Sequence, residues 1–218
     1  MAEKKWSQQA WEVARPAYEA ILKLPFLNEM ADGTLSQERF IRYIKQDNLY
    51  IDDYSRVLAH IASRLENIDQ LDSFLRFAGD GVAMEKGLHA MYVSDTAPEK
   101  SPVCLFYTSL LKAQADGPVA VEAAAILPCF WVYLEVGKHI LSIARLDGNP
   151  YADWIRAYSD PAFEASNARA IEICDQLAEA ATPEVRARMT DIFLQCTRLE
   201  WLFWHSAYED LRWPLPLR

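Results

Sequence analysis

The sequence predicts an all-α fold, a single-domain helical bundle over residues 1–218 with about seven to nine helices. Glycine is scarce, at 7 of 218 residues, whereas alanine, leucine, glutamate, glutamine and arginine, which favour helices, are plentiful. Apolar side chains recur with the spacing of a helix instead of alternating as they do in strands. The hydrophobic fraction of 51% is enough for a large core.

The first part of the chain predicts three helices. Residues 7–24 carry one apolar stripe, formed by Ala10, Val13, Ala17, Ile21 and Leu24. After a loop, the second helix covers residues 36–65 and begins at Ser36, whose hydroxyl can cap the first turn. The third helix covers residues 68–92.

The second predicted helix places four polar or aromatic residues within one sector of about 60°: Tyr43, Asp47, Tyr50 and Tyr54. Asp52 and Asp53 point elsewhere and are expected to be solvated. A buried carboxylate is costly unless it is paired. Asp47 is therefore either a hydrogen-bonded acid of the core or an anchor for a ligand.

The most apolar stretch predicts a central helix over residues 119–145. Pro128 lies inside it and lacks the N–H that would bond back to Ala124, so a bend is expected. Cys129 follows directly, and Tyr133 lies one turn later on the same face. This thiol is either a nucleophile in a pocket or a buried cysteine in an apolar helix.

The other predicted helices are shorter or lie near the C-terminus: residues 103–115, 151–158, 161–181 and 183–211. The last two begin with a capping residue followed by proline at the first helical position. Glu200 lies in an aromatic-rich part of the last helix. It is either a buried acid or a surface residue at the margin of the helix. Together, Glu200, Asp47 and Cys129 indicate an aromatic pocket that also carries polar groups. Such a pocket suits a flat, cationic or hydrogen-bonding heterocycle.

Charge and composition exclude several classes of function. The net charge of -9 argues against a nucleic-acid partner, and no glycine-rich phosphate loop is present. We expect no signal peptide and no membrane span, because the apolar run of residues 123–134 is shorter than the ~20 residues that a span requires. The cysteines, which are far apart, predict free thiols in a reducing cytoplasm.

A metal site is not expected. Glu135 and His139 have i,i+4 spacing, but they lie about 80–120° around the helix from Cys129. Glu200 and His205 diverge by about 140° on one straight helix. The repeated Glu-x-x-His pattern of di-iron bundles does not occur in the sequence.

Four segments resemble the TenA (thiaminase II) family in their order and approximate spacing: residues 43–50, 127–133, 154–158 and 200–208. The closing Trp213-Pro214 pair is also similar, so the resemblance covers nearly the whole chain. Cys129 stands where the cysteine-bearing branch of the family has its nucleophile.

The resemblance implies a haem-oxygenase-like bundle that binds no haem, needs no cofactor and forms a homotetramer. It implies hydrolysis of 4-amino-5-aminomethyl-2-methylpyrimidine to the hydroxymethyl compound and ammonia in thiamine salvage. Some members of the family also cleave thiamine.

The same resemblance assigns roles to residues. Cys129 would add to the pyrimidine ring as the nucleophile, Asp47 would hold the amidine-like edge, and Glu200 would transfer protons. The pocket would be lined by four tyrosines: Tyr50, Tyr107, Tyr133 and Tyr158.

Four positions depart from the family pattern and leave substrate preference open: Asn48, Leu49, Tyr54 and His205. Two other functions remain as alternatives, namely a metal-dependent or cofactorless oxidase of the same general fold and a non-catalytic pyrimidine-binding or regulatory protein. Metal analysis of the purified protein tests the first alternative, and an assay for turnover tests the second.

Overall fold

The computed structural model describes residues 4–92 and 99–215, with the side chains of residues 84–92 outside the description. Within these ranges the chain forms nine helices and no strand. They are α1 (Trp6–Ile21), α2 (Pro25–Asp32), α3 (Gln37–Arg64), α4 (Ile68–Tyr92), α5 (Pro102–Lys112), α6 (Val119–Ile143), α7 (Ala152–Ala157), α8 (Pro161–Ala180) and α9 (Pro183–Glu209). The prediction of an all-α bundle is confirmed.

Helix α6 is the centre of the bundle. It packs against α2, α3, α5, α7, α8 and α9. By length and composition α6 is apolar enough to cross a membrane, but 78% of its most apolar window is buried inside the fold. This burial is the pattern of a core helix, which needs apolar residues on every side.

The predicted helix starts are confirmed by their capping hydrogen bonds. The Ser36 hydroxyl accepts from the backbone N–H of Arg39 at the start of α3. The carboxylate of Asp160 caps α8, and the Thr182 hydroxyl caps α9. In α8 and α9 a proline occupies the first turn. The backbone N–H groups of a first turn have no partner within the helix, so the N–H that proline lacks is not needed there.

The prediction of a loop over residues 25–35 is wrong in part, because Pro25 starts the short helix α2. Gly33 ends it with a left-handed φ of 73°, which glycine adopts without steric cost. Val13, placed on the buried stripe of the first helix, is 47% exposed. Helix α9 ends two residues earlier than predicted, where Asp210 takes a φ of 55°.

Asp53 was expected to be solvated, and this prediction is also wrong. Asp53 is buried, and its carboxylate pairs with Lys100 and Lys112. Burial alone would raise the pKa of Asp53, but hydrogen bonds from the two ammonium groups outweigh it and lower the pKa. The pairs connect α3 to the start and end of α5, an arrangement that helical periodicity does not predict.

Three polar contacts fix α3 against α6, the helices that carry Asp47 and Cys129. The buried carboxylate of Glu122 on α6 accepts from Arg64 at 2.6 Å and contacts His60 Nδ1 at 2.8 Å. The Tyr54 hydroxyl donates to the Ile126 carbonyl at 2.9 Å. These contacts set the register between the two helices.

Candidate active site

A cavity of about 480 Å³ opens beside α6. Its wall is formed by residues of α3, α4, α6, α7 and α8 and the turn before α8: Asp47, Ile51, Tyr54, Phe77, Asp80, Gly81, Cys129, Phe130, Tyr133, Ala157, Tyr158, Asp160, Ala162, Phe163 and Ser166. A volume of this size accommodates a small heterocycle. Aromatic rings form much of the wall, so a flat ring can stack inside.

Cys129 lies on α6 directly after Pro128 and is partly exposed to the cavity. Burial raises the pKa of its thiol well above the ordinary value, and the negative charges of Glu200 and Asp47 raise it further. The neighbouring hydroxyls of Tyr50 and Tyr54 act in the opposite direction. Cys129 is therefore held as a thiol, and it needs a base to become a nucleophile.

Asp47 reaches the cavity from α3 and is 2% exposed. Its Oδ2 atom has no hydrogen-bond partner among the described residues. Burial raises the pKa of this carboxyl to about 7. An unpartnered buried carboxyl at a cavity wall is costly by itself, and donors on a ligand would satisfy it.

Glu200 lies on α9 and is 1% exposed. The Tyr107 hydroxyl donates to Glu200 Oε1 at 2.6 Å. Burial raises the pKa of Glu200 to about 8, the hydrogen bond from Tyr107 lowers it, and the charge of Asp47 raises it. A carboxyl with a pKa near neutral pH is suited to accept and return a proton.

Tyr133 and Tyr158 form one side of the cavity, with ring centroids 5.1 Å apart. The Tyr43 hydroxyl lies 3.4 Å from that of Tyr133. Gly137 permits this arrangement, because a Cβ atom at that position would overlap the backbone carbonyl of Tyr158. The close approach of α7 to α6 therefore depends on a missing side chain.

The structure brings the predicted site residues together in two groups. Asp47, Cys129, Tyr133 and Tyr158 line the cavity. Tyr50, Tyr107 and Glu200 lie next to it without forming its wall. Tyr50 packs on Tyr107 with ring centroids 4.9 Å apart, and the charge of Glu200 acts on the Cys129 thiol.

Several wall residues were not identified from the sequence. The helical pattern placed Tyr54 on the face of Asp47, two turns later, but did not assign it to the site. Phe130 and Phe163 follow from no pattern, since an aromatic residue in an apolar helix is usually core. Asp80 and Asp160 resemble ordinary surface acids in the sequence, and only the packing of α4 and α8 brings them to one cavity.

In the ranges that the structure describes, no group of three or more histidine, cysteine, aspartate and glutamate side chains is arranged to hold a metal ion. The pair Glu135 and His139 lies outside the cavity wall. His205 stacks on Trp201, with ring centroids 4.6 Å apart.

Residues 11–210 match the sequence model of the TENA/THI-4/PQQC family. The chain belongs to this family. The match extends from α1 to the end of α9, so it includes every predicted site residue.

Relatives of known name agree with this family assignment. The aminopyrimidine aminohydrolase of Halalkalibacterium halodurans is 30% identical over 213 residues, covering 93% of this chain and 95% of the relative. The aminopyrimidine aminohydrolase of Bacillus subtilis is 31% identical, covering 96% of this chain and 92% of the relative.

Solved structures share the fold. A TenA homologue from P. horikoshii superposes with a TM-score of 0.82 at 24% identity, over 94% of this chain and 99% of the homologue. A TenA family transcription regulator from Silicibacter sp. TM1040 gives 0.85 at 24% identity, over 94% of this chain and 96% of the other. At such identities the likeness concerns the fold.

Proposed function

We propose that this chain is an aminopyrimidine aminohydrolase (thiaminase II). Its substrate would be 4-amino-5-aminomethyl-2-methylpyrimidine, and its products the 5-hydroxymethyl pyrimidine and ammonia, in thiamine salvage. Relatives with that name are 30% and 31% identical over nearly their whole length. The observation that carries the proposal is that Asp47 and Cys129, from two separate helices, line one aromatic-walled cavity. Glu200, from a third helix, lies behind this wall, where its charge acts on the Cys129 thiol.

Binding would begin at Asp47. The amidine-like edge of an aminopyrimidine presents a ring nitrogen and an exocyclic amine side by side, and a carboxylate offers two acceptors to such an edge. The unpartnered Oδ2 atom of Asp47 supplies one of them. Tyr133 and Tyr158 would hold the ring by its faces and edges.

The chemical step would begin at Cys129. Glu200 would accept the thiol proton, and the thiolate would add to the pyrimidine ring to form a C–S bond. Electrons of the ring would then expel the amine from the exocyclic methylene carbon as ammonia, and Glu200 would return the proton at this step to an amine that has bound in its neutral form. Water would add to the methylene carbon, and cleavage of the C–S bond would restore the aromatic ring and the thiol.

The first test is ammonia release from this substrate in metal-free buffer by the natural chain and by Cys129→Ser. We expect release by the natural chain and a loss of at least about 10³-fold in the variant, because a serine hydroxyl is a far weaker nucleophile than a thiolate. Cys104→Ser is the matched control, since this buried thiol does not line the cavity. Substantial activity in Cys129→Ser would contradict the covalent role.

Release by neither protein would turn attention to thiamine as substrate. Stoichiometric iron or manganese in the purified protein would favour the oxidase alternative instead. Binding of the pyrimidine without any turnover would favour a regulatory protein.

We also propose a cytoplasmic homotetramer built from single-domain chains. The family resemblance supports the assembly, and the free cysteines support the compartment. Light scattering of the purified chain tests the assembly, for which a mass four times the 24.9 kDa of one chain is expected.

A further inference from the structure

The charges at the cavity are all of one sign. Three carboxyl groups line it, those of Asp47, Asp80 and Asp160, and among the described lining residues there is no lysine, arginine or histidine. Asp47 is nearly fully buried, whereas Asp80 and Asp160 are exposed. The first carboxyl therefore lies deep in the cavity, and the other two lie at its mouth.

Neither carboxylate at the mouth is paired with a cation of the described residues. Asp80 makes no hydrogen bond or ion pair with any described residue. Asp160 Oδ1 accepts from the backbone N–H of Ala162, an N-cap contact that leaves its net charge in place. No ion pair to either carboxylate is found in the described ranges.

The lysine and arginine side chains that the structure describes on α4, α6, α7 and α8 are already paired with other acids. On α4, Arg76 contacts Asp72 at 2.7 Å. On α7 and α8, the basic groups of Arg156 and Arg169 lie 3.2 Å and 2.7 Å from the carboxylates of Asp153 and Glu172. Lys138 of α6 contacts Glu164 at 2.6 Å. Of the side chains that the structure describes, Asp80 and Asp160 are therefore the unpaired charges at the mouth.

A cleft with charges of one sign and low-dielectric walls concentrates ions of the opposite sign. The aromatic wall supplies the low dielectric, and the unpartnered Oδ2 of Asp47 indicates that a ligand with donors binds inside. We propose that Asp80 and Asp160 are specificity-determining residues that select substrates with a cationic leaving group and reject phosphorylated ones.

This inference rests on the proposed function and narrows its substrate class. A primary aminomethyl group is protonated near neutral pH, and the thiazolium ring of thiamine carries a permanent positive charge. The alcohol product has lost that charge, so the mouth attracts the substrate more strongly than the product. A phosphate ester carries about two negative charges and would be repelled.

The test measures binding by calorimetry to the full chain carrying Cys129→Ser, so that no turnover is needed. The ligands are the aminomethyl pyrimidine, the neutral hydroxymethyl pyrimidine and the phosphate ester of that alcohol. Adding Asp80→Asn and Asp160→Asn should weaken binding of the amine about three- to tenfold and should strengthen binding of the phosphate ester. Binding of the alcohol should not change.

The salt dependence gives a second readout. Raising the salt from about 0.02 M to about 0.3 M should weaken amine binding in the parent and leave the double variant nearly unaffected. Asp160→Asn keeps the cap, because asparagine is an equally good N-cap residue. Asp191→Asn on α9 is the matched control, because it removes an exposed charge that does not line the cavity.

Unchanged amine binding in the double variant would overturn the inference. An equal loss of alcohol binding would overturn it too, since it would mean that the carboxylates act only on the structure of the cavity. Ammonia release by the natural chain tests the proposed function separately, so either conclusion can fail while the other stands.

Discussion

Asp47 and Glu200 are buried acids that differ in their hydrogen bonds. Glu200 accepts from Tyr107, whereas Oδ2 of Asp47 has no partner among the described residues. In the proposed reaction Glu200 transfers protons, and such a group must keep one defined position while it gains and loses a proton. The Tyr107 hydroxyl would supply that support. An atom that binds substrate must instead be free of contacts before the substrate arrives.

The pH dependence of activity follows from these two acids. Asp47 acts as the ionised acceptor and Glu200 as the base in the proposed reaction, and their pKa values are about 7 and about 8. We expect kcat/KM to rise between about pH 6 and pH 8, where an ordinary carboxyl is already ionised.

Tyr107→Phe tests this assignment. The Tyr107 hydroxyl stabilises the charged form of Glu200 and lowers its pKa, so removing the hydroxyl should raise that pKa and move the rise in kcat/KM to higher pH. A pH–rate profile of both proteins measures the shift. Tyr208→Phe, which removes a hydroxyl bonded to the peripheral Glu29, is the control and should leave the profile unchanged. A Tyr107→Phe profile with reduced height but an unmoved midpoint would contradict the proton-transfer role of Glu200.

At the scale of helices, the site depends on how closely α6 approaches its neighbours. Pro128 interrupts the hydrogen bonding of α6 beside Cys129, and Tyr54 from α3 donates to the Ile126 carbonyl in the same region. Gly137 then lets the end of α7 lie against α6. These two features lie on either side of Tyr133 and shape one wall of the cavity.

Gly137→Ala tests the second feature. The new methyl group would overlap the Tyr158 carbonyl, so α7 must move away, at a cost of about 1–3 kcal/mol in the free energy of unfolding. Because Tyr158 lines the cavity, KM should rise as well. Gly79→Ala is the control, since a Cβ there meets nothing within 4 Å and should stabilise α4 by about 0.5–1 kcal/mol.

Urea unfolding and steady-state kinetics measure both variants. A Gly137→Ala protein with natural stability and natural KM would show that the approach of α7 to α6 is not tight. The helical location of both glycines makes the comparison direct, because only the space around each Cβ differs.

For the molecule as a whole, the buried acids make stability depend on pH. The pKa of Asp47 rises from its ordinary 3.8 to about 7 on folding. The folded chain therefore holds a proton that the unfolded chain has lost between these values. Below about pH 4 this group does not destabilise the folded chain. As the pH rises towards 7, the free energy of unfolding falls by up to about 4 kcal/mol because of this group.

Asp47→Asn should remove this dependence while it abolishes substrate binding. We expect the variant to exceed the natural chain in free energy of unfolding at pH 8, and to do so by less at pH 5. Asp53→Asn is the matched control on the same helix. Its pKa is lowered by Lys100 and Lys112, so it should lose a similar amount of stability at both pH values. If the difference in free energy of unfolding between the natural chain and Asp47→Asn were the same at pH 5 and at pH 8, that result would contradict the raised pKa of Asp47.

Much of the fold and of the site follows from the sequence alone. Helical periodicity, the capping residues Ser36, Asp160 and Thr182, and the prolines beside the last two determined most helix positions, because these signals act over a few neighbouring residues. The resemblance to a family added the roles that we propose for Cys129 and Glu200, for which the local pattern allowed two interpretations each.

Only the tertiary structure decided which side chains meet. It placed Asp53 between two lysines instead of in solvent, left Val13 exposed, and brought Asp80 and Asp160 to the mouth of the cavity that Asp47 and Cys129 line. Periodicity states which face of a helix a residue occupies but not what packs against that face. Burial, and with it the pKa values and the charge of the cavity, depends on contacts between residues far apart in the chain.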